Sequence, residues 1–124
     1  MIEVVAAVIQ RDGKYMIARR GPGKHLAGYW EFPGGKVENG ETPEESMTRE
    51  IREEFDVEAK VEGYIGESVH DYGTKVVRLM AYRVVVEDEI RESTDHDLIE
   101  WVELNQMTNY QLAPADIPLL GYLN

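Results

Sequence analysis

The stretch Gly35–Val57, GKVENGETPEESMTREIREEFDV, decides how this chain is read. Its second half has the marks of a helix. Thr42 is placed to be the N-cap, Pro43 suits the first turn, and Glu45 completes a capping box. Met47, Ile51 and Phe55 recur at i, i+4 and i+8, which makes one buried stripe. The helix is expected to stop near Asp56.

Glu50, Glu53 and Glu54 crowd into one turn of that helix. At about 100° per residue they share one flank beside the stripe. Close carboxylates either raise one another's pKa or gather a cation. Oxygen ligands of this kind suit Mg²⁺, Mn²⁺ or Ca²⁺, and Mg²⁺ commonly shares its coordination with substrate phosphates. A charged helix face is more often simply solvated. Glu44 and Glu45 also have an ordinary place near the positive end of the helix.

The order Gly35, Glu41, then Arg49-Glu50-Ile51-Arg52-Glu53-Glu54, resembles the signature box of the Nudix hydrolases, the family that includes the MutT-type enzymes. One position departs from the pattern, where Asp56 stands in place of the usual Gly. Asp tolerates the left-handed conformation of a helix end better than most residues, so no ligand is lost. The resemblance implies an α+β fold, a Nudix-type α/β/α sandwich with a mixed β-sheet between helices. It implies hydrolysis of a nucleoside diphosphate linked to a further group. Glu50, Glu53 and Glu54 match the metal-binding carboxylates, with the Gly34 carbonyl as a further ligand and Mg²⁺, or Mn²⁺, as the ion. Arg49 matches the brace of the site, paired with Glu41. Glu50 or Glu53 is implied as an aid to deprotonating water.

The likeness extends beyond the box. Tyr29–Glu38, YWEFPGGKVE, and Ala18-Arg19-Arg20 resemble the MutT-like subgroup. Leu112–Leu120, LAPADIPLL, and the start MIEVVAA resemble the bacterial CTP pyrophosphohydrolases within it. Arg20 then matches a phosphate-contacting residue, Lys36 adds a second cation, and His25, Glu31 and Phe32 fall on substrate-side positions. Asp95 matches an extra acidic loop residue that binds metal through water or assists the base. Each also has a plainer reading: Phe32 as core, His25 as a solvated loop residue, Asp95 as part of an acidic loop with His96 and Asp97.

Asp116 bears on the nucleobase. An ionised Asp only accepts hydrogen bonds, and cytosine offers an N4 amine. CTP, dCTP or a modified cytosine nucleotide is the expected substrate. Guanine also presents donors, so 8-oxo-dGTP is the alternative, and a non-catalytic nucleotide-binding module is a remote one. The products expected are a nucleoside monophosphate and pyrophosphate.

The remaining sequence sets bounds. A chain of 124 residues is enough for one domain, residues 1–124, with one core. The net charge of −11 argues against a nucleic-acid polymer as partner. No apolar run reaches the length of a membrane span, and no signal-peptide pattern is expected at the N-terminus. Cysteine is absent, which excludes disulfides and thiolate metal sites. A cytoplasmic monomer is the default expectation. Strands are predicted at 2–9, 14–19, 29–32, 57–61, 61–69, 75–86 and 100–102, with an acidic loop over 87–97 and a closing helix over 115–123.

Overall fold

A computed structural model describes all residues, Met1–Asn124. Its strands are β1 (Ile2–Val8), β2 (Gln10–Arg11), β3 (Lys14–Arg20), β4 (Trp30–Glu31), β5 (Gly34–Lys36), β6 (Lys60–Asp71), β7 (Val76–Val85) and β8 (His96–Val102). One α-helix, α1 (Pro43–Phe55), and two 3₁₀ helices, Leu104–Asn109 and Ile117–Tyr122, complete it.

The strand β1 shows why the sequence lacks apolar–polar alternation there: both of its faces are buried. Val5, Ala7 and Ile9 pack with Met47, Ile51 and Phe55 of α1. Ala6 and Val8 point the other way, into a cluster with Met107 and Leu119 of the 3₁₀ helices. β7 repeats the arrangement, with Met80, Tyr82 and Val84 toward α1 and Val77, Leu79 and Ala81 opposite. The main sheet runs β5-β1-β7-β6 and is mixed, since β1 and β7 are parallel and the outer pairs are antiparallel. A second sheet joins β2, β3 and β4, with β8 on the free side of β3. The fold is α+β, as expected.

Local chemistry sets the element ends. Asp12 and Gly13 both have positive φ, 50° and 78°, which is what a two-residue hairpin between β2 and β3 needs. Thr42 accepts from the Glu45 N–H at 3.1 Å, and Glu45 accepts from the Thr42 N–H at 2.9 Å, so the capping box closes. Asp56 ends α1 in the left-handed region at φ 54°, ψ 41°.

Several predicted elements differ. Pro33-Residues 57–59 lie outside any strand, and β6 is a single long strand from Lys60. The acidic loop is shorter than expected because β8 already begins at His96. The closing segment is a 3₁₀ helix, not an α-helix. Pro118 lacks a donor and Gly121 carries a high ordering penalty, so a longer helix gains little there.

Candidate active site

A cleft of about 340 Å³ opens between α1, β5, the loop after β3, the β6–β7 turn and the segment before the last 3₁₀ helix. Arg20, His25, Glu31, Gly34, Lys36, Glu50, Asp95 and Asp116 all line it, as does Glu54. Two of the expected residues do not. Glu53 is 58 % exposed and turns to Arg49 on the rim. Phe32 is only 2 % exposed, with its ring in the core, so its backbone rather than its ring serves the cleft.

Arg49 organises the acidic flank. Its Nε and Nη2 donate to the two Glu41 oxygens at 2.7 and 3.0 Å, Nη1 donates to Glu50 at 2.8 Å and to Glu53 at 3.1 Å, and Nη2 also reaches the Lys36 carbonyl at 3.1 Å. Glu41 holds its own place by accepting from the Glu38 N–H at 3.0 Å. These contacts pull the Glu41 carboxyl below its ordinary pKa, chiefly through Arg49.

The glycines leave room for this arrangement. A Cβ on Gly34 would strike the Val5 carbonyl at 1.8 Å, so only glycine lets β5 lie against β1. A Cβ on Gly35 would sit 2.3 Å from the Glu50 carboxyl carbon. The Glu50 carboxylate therefore fills the slot that glycine leaves.

Glu54 is the anomaly of the helix. It is 5 % exposed, and its Oε1 has no hydrogen-bond partner. Burial first, then Glu50, Asp95 and Glu31, push its pKa up to about 10. A buried, unpartnered carboxylate oxygen facing further carboxylates is what a divalent cation would satisfy. No three acidic or histidine side chains close into a finished cage, because Arg49 draws Glu50 and Glu53 toward itself. The donor set, all carboxylate and carbonyl oxygen, fits Mg²⁺ or Mn²⁺.

The opposite wall carries a second network. Arg20 donates to both Glu31 oxygens at 3.1 and 3.2 Å and to the His25 carbonyl at 2.5 Å. His96 was expected in a solvated loop but is buried: Nε2 lies 2.8 Å from Glu31, Nδ1 lies 2.7 Å from the Ser93 hydroxyl, and the ring stacks on Phe55. Asp95 is fixed through its backbone, whose carbonyl accepts from the Gly21 N–H at 3.1 Å, and its carboxylate lies 3.6 Å from Lys24. His25 is exposed on the cleft rim. Lost hydration, then Lys75 and Arg20, lower its pKa and favour the neutral ring.

Asp116 closes the far end. It is 4 % exposed, and the Phe32 N–H donates to its Oδ2 at 2.9 Å. It makes no side-chain cap for the helix that follows, which removes the plainer reading of it as a helix-end charge. Burial, then the charge of Glu31, raise its pKa well above the ordinary value. Tyr72, Lys75 and Leu26 also line the cleft and went unread in the sequence.

Fold and cleft together define an α+β protein that presents an acidic helix and a set of cations to one shared space. A family model described as NUDIX domain matches residues 4–122. The CTP pyrophosphohydrolase of Escherichia coli is 41% identical over 120 residues, covering 97% of this chain and 89% of that protein. The 8-oxo-dGTP diphosphatase of Haemophilus influenzae is 32% identical over 126 residues, covering 99% of this chain and 91% of that protein. The crystal structure of a MutT protein from Methanosarcina mazei superposes with a TM-score of 0.88 at 25% identity, covering 97% of this chain and 90% of that one. The chain belongs to the NUDIX domain family and is a Nudix hydrolase.

Proposed function

We propose that the enzyme is a divalent-cation-dependent nucleoside triphosphate pyrophosphohydrolase acting on CTP, dCTP or a modified cytosine nucleotide. Asp116 is the observation that carries the cytosine reading. The protein engages only one of its oxygens, which leaves the other as an acceptor at the end of the cleft. Cytosine is the pyrimidine that offers an amine donor there. The likeness to the Escherichia coli CTP enzyme supports the same substrate.

Glu50 and Glu54, with the Gly34 carbonyl and Glu53 at the rim, would hold Mg²⁺ or Mn²⁺. When bound, such an ion supplies charge neutralisation for the phosphates and polarisation of a phosphoryl oxygen. Arg20 and Lys36 line the cleft as cations for the remaining phosphate charge. Arg49 keeps Glu50 in place. Water forms the new bond to phosphorus as the anhydride bond breaks, and its proton passes to a cleft carboxylate, Glu50 or Asp95. The leaving group departs as pyrophosphate and the nucleotide as a monophosphate. The whole chain forms one catalytic unit, residues 1–124, active as a monomer. No helix is long and apolar enough to cross a membrane. The cytoplasm, where nucleotide pools lie, is the proposed location.

The likeness to 8-oxo-dGTP diphosphatases supports a second reading, since guanine also offers donors to an acidic residue. A nucleotide panel with Mg²⁺, scored by pyrophosphate release, separates the two. CTP or 5-methyl-dCTP ahead of 8-oxo-dGTP supports the first; the reverse ranking overturns it.

A further inference from the structure

Tyr72 sits at the tip of the β6–β7 hairpin, beyond every motif the sequence offered. Its backbone N–H donates to the Lys75 carbonyl at 2.8 Å, and the Asp71 carboxylate braces the same turn by accepting from the Gly73 N–H at 2.8 Å. The ring is wedged edge-on between His25 at 5.5 Å and His70 at 4.4 Å. Its orientation is therefore fixed from both sides.

The hydroxyl is unusual in what it does. Tyr15, Tyr64 and Tyr122 each donate their phenolic proton to an oxygen of the protein. Tyr72 instead accepts, from the Ala115 N–H at 3.1 Å. A phenol that accepts one hydrogen bond still has a proton to give, and the protein offers it no acceptor. That proton lies in the wall of the cleft, beside the residue that precedes Asp116.

The geometry points to Tyr72 as a second base-reading residue, which donates its phenolic proton to the ring N3 of cytosine while Asp116 accepts from the neighbouring N4 amine. The inference rests on the cleft end being the base site, as proposed above. Acceptor and donor held side by side match the N4 and N3 edge of cytosine. Uracil reverses that order, with a carbonyl where Asp116 would accept and an N–H where Tyr72 would donate. The Tyr72 phenol stays protonated in this setting, since burial and then the charges of Asp116 and Glu31 raise its pKa against the opposing bond from Ala115.

Ala115 provides a control. Its carbonyl accepts from the Ser68 hydroxyl, on the same strand as Tyr72. Ser68→Ala loosens the same segment without removing any group that would touch the base.

The test compares CTP with 3-deaza-CTP, which has C–H in place of N3, by kcat/KM for the parent enzyme, Tyr72→Phe and Ser68→Ala. The parent is expected to favour CTP by about 10-fold, the worth of one hydrogen bond to a neutral group. Tyr72→Phe should bring the ratio close to unity. Ser68→Ala should slow both substrates alike and keep the ratio. A Tyr72→Phe enzyme that is slower on both substrates with its preference intact would overturn the role of Tyr72 alone. Parent enzyme that turns over neither substrate would overturn the cytosine reading, and this inference with it.

Discussion

Arg49 grips Glu41 with two parallel hydrogen bonds, Nε to Oε2 at 2.7 Å and Nη2 to Oε1 at 3.0 Å, while Nη1 holds Glu50. A planar fork can satisfy both carboxylates at once; an ammonium cannot. Arg49→Lys keeps the charge and loses the fork. Steady-state kinetics should show kcat reduced by about 100-fold, the scale of a roughly 1 Å misplacement of a reacting group. A Lys enzyme with full kcat would remove Arg49 from the positioning of Glu50.

The unpartnered oxygen of Glu54 gives a readout that does not need substrate. Mg²⁺ at 100 times its dissociation constant should stabilise the fold by about 2.7 kcal/mol, seen as a higher Tm in a thermal melt. Glu54→Gln should raise the Tm of metal-free protein, because a neutral amide replaces a carboxylate that is costly to bury. The same variant should lose most of the shift with Mg²⁺. An undiminished shift would place the ion elsewhere.

Away from the cleft, Glu67 accepts from Arg78 at 2.9 and 3.0 Å and from the Tyr64 hydroxyl at 2.6 Å. Arg78 first, then Tyr64, draw its pKa from the usual 4.5 to about 2. A folded-state pKa below the unfolded one means the carboxylate stabilises above the unfolded value, and that contribution is lost as pH falls through the folded value. Urea melts should find Glu67→Gln less stable than the parent near neutral pH. The gap should close as pH falls from about 4.5 toward 2. A gap that holds constant across that range would rule out the ionised pair as its source.

How much of this could be read beforehand follows from distance along the chain. The cap of Thr42 and Glu45, the stripe of Met47, Ile51 and Phe55, and the Arg49–Glu41 brace all lie within α1 or just before it, where helical geometry fixes who meets whom. Tyr72 meets Ala115 across 43 residues, and His96 meets Glu31 across 65. Those encounters depend on the order of strands in two sheets. His96 stood in an acidic run that read as solvated loop, and only the pairing of β8 with β3 carries it inward. Phe32 was legible as a residue of the site but not in its role: strand alternation turns its ring into the core and leaves its N–H for Asp116.

Asp56 tests the one departure from the family pattern. It holds φ 54° at the C-terminus of α1, where its charge also opposes the helix dipole. Asp56→Gly should stabilise by about 0.5–1 kcal/mol, since glycine takes the left-handed conformation without a Cβ penalty. Asp56→Ala should destabilise instead. Chemical denaturation of the two variants beside the parent gives the sign of each.

Asp116→Asn leads to the most specific outcome. The Phe32 N–H, which donates to Oδ2 at 2.9 Å, still requires an acceptor, and the amide has only one oxygen. That oxygen must turn toward Phe32, so the amide nitrogen takes the position facing the base. A site that accepted a hydrogen bond now donates one. Cytosine would then present its amine to another donor, while uracil would present a carbonyl. Preference should move from CTP toward UTP, with the ratio of kcat/KM values changing by about 100-fold or more, as expected when a buried polar group is left facing its like. Because the bond to Phe32 survives, the Tm should change little, and a lost fold would not account for the result. An Asn enzyme that kept the parent's preference for CTP would mean that the base is read elsewhere in the cleft.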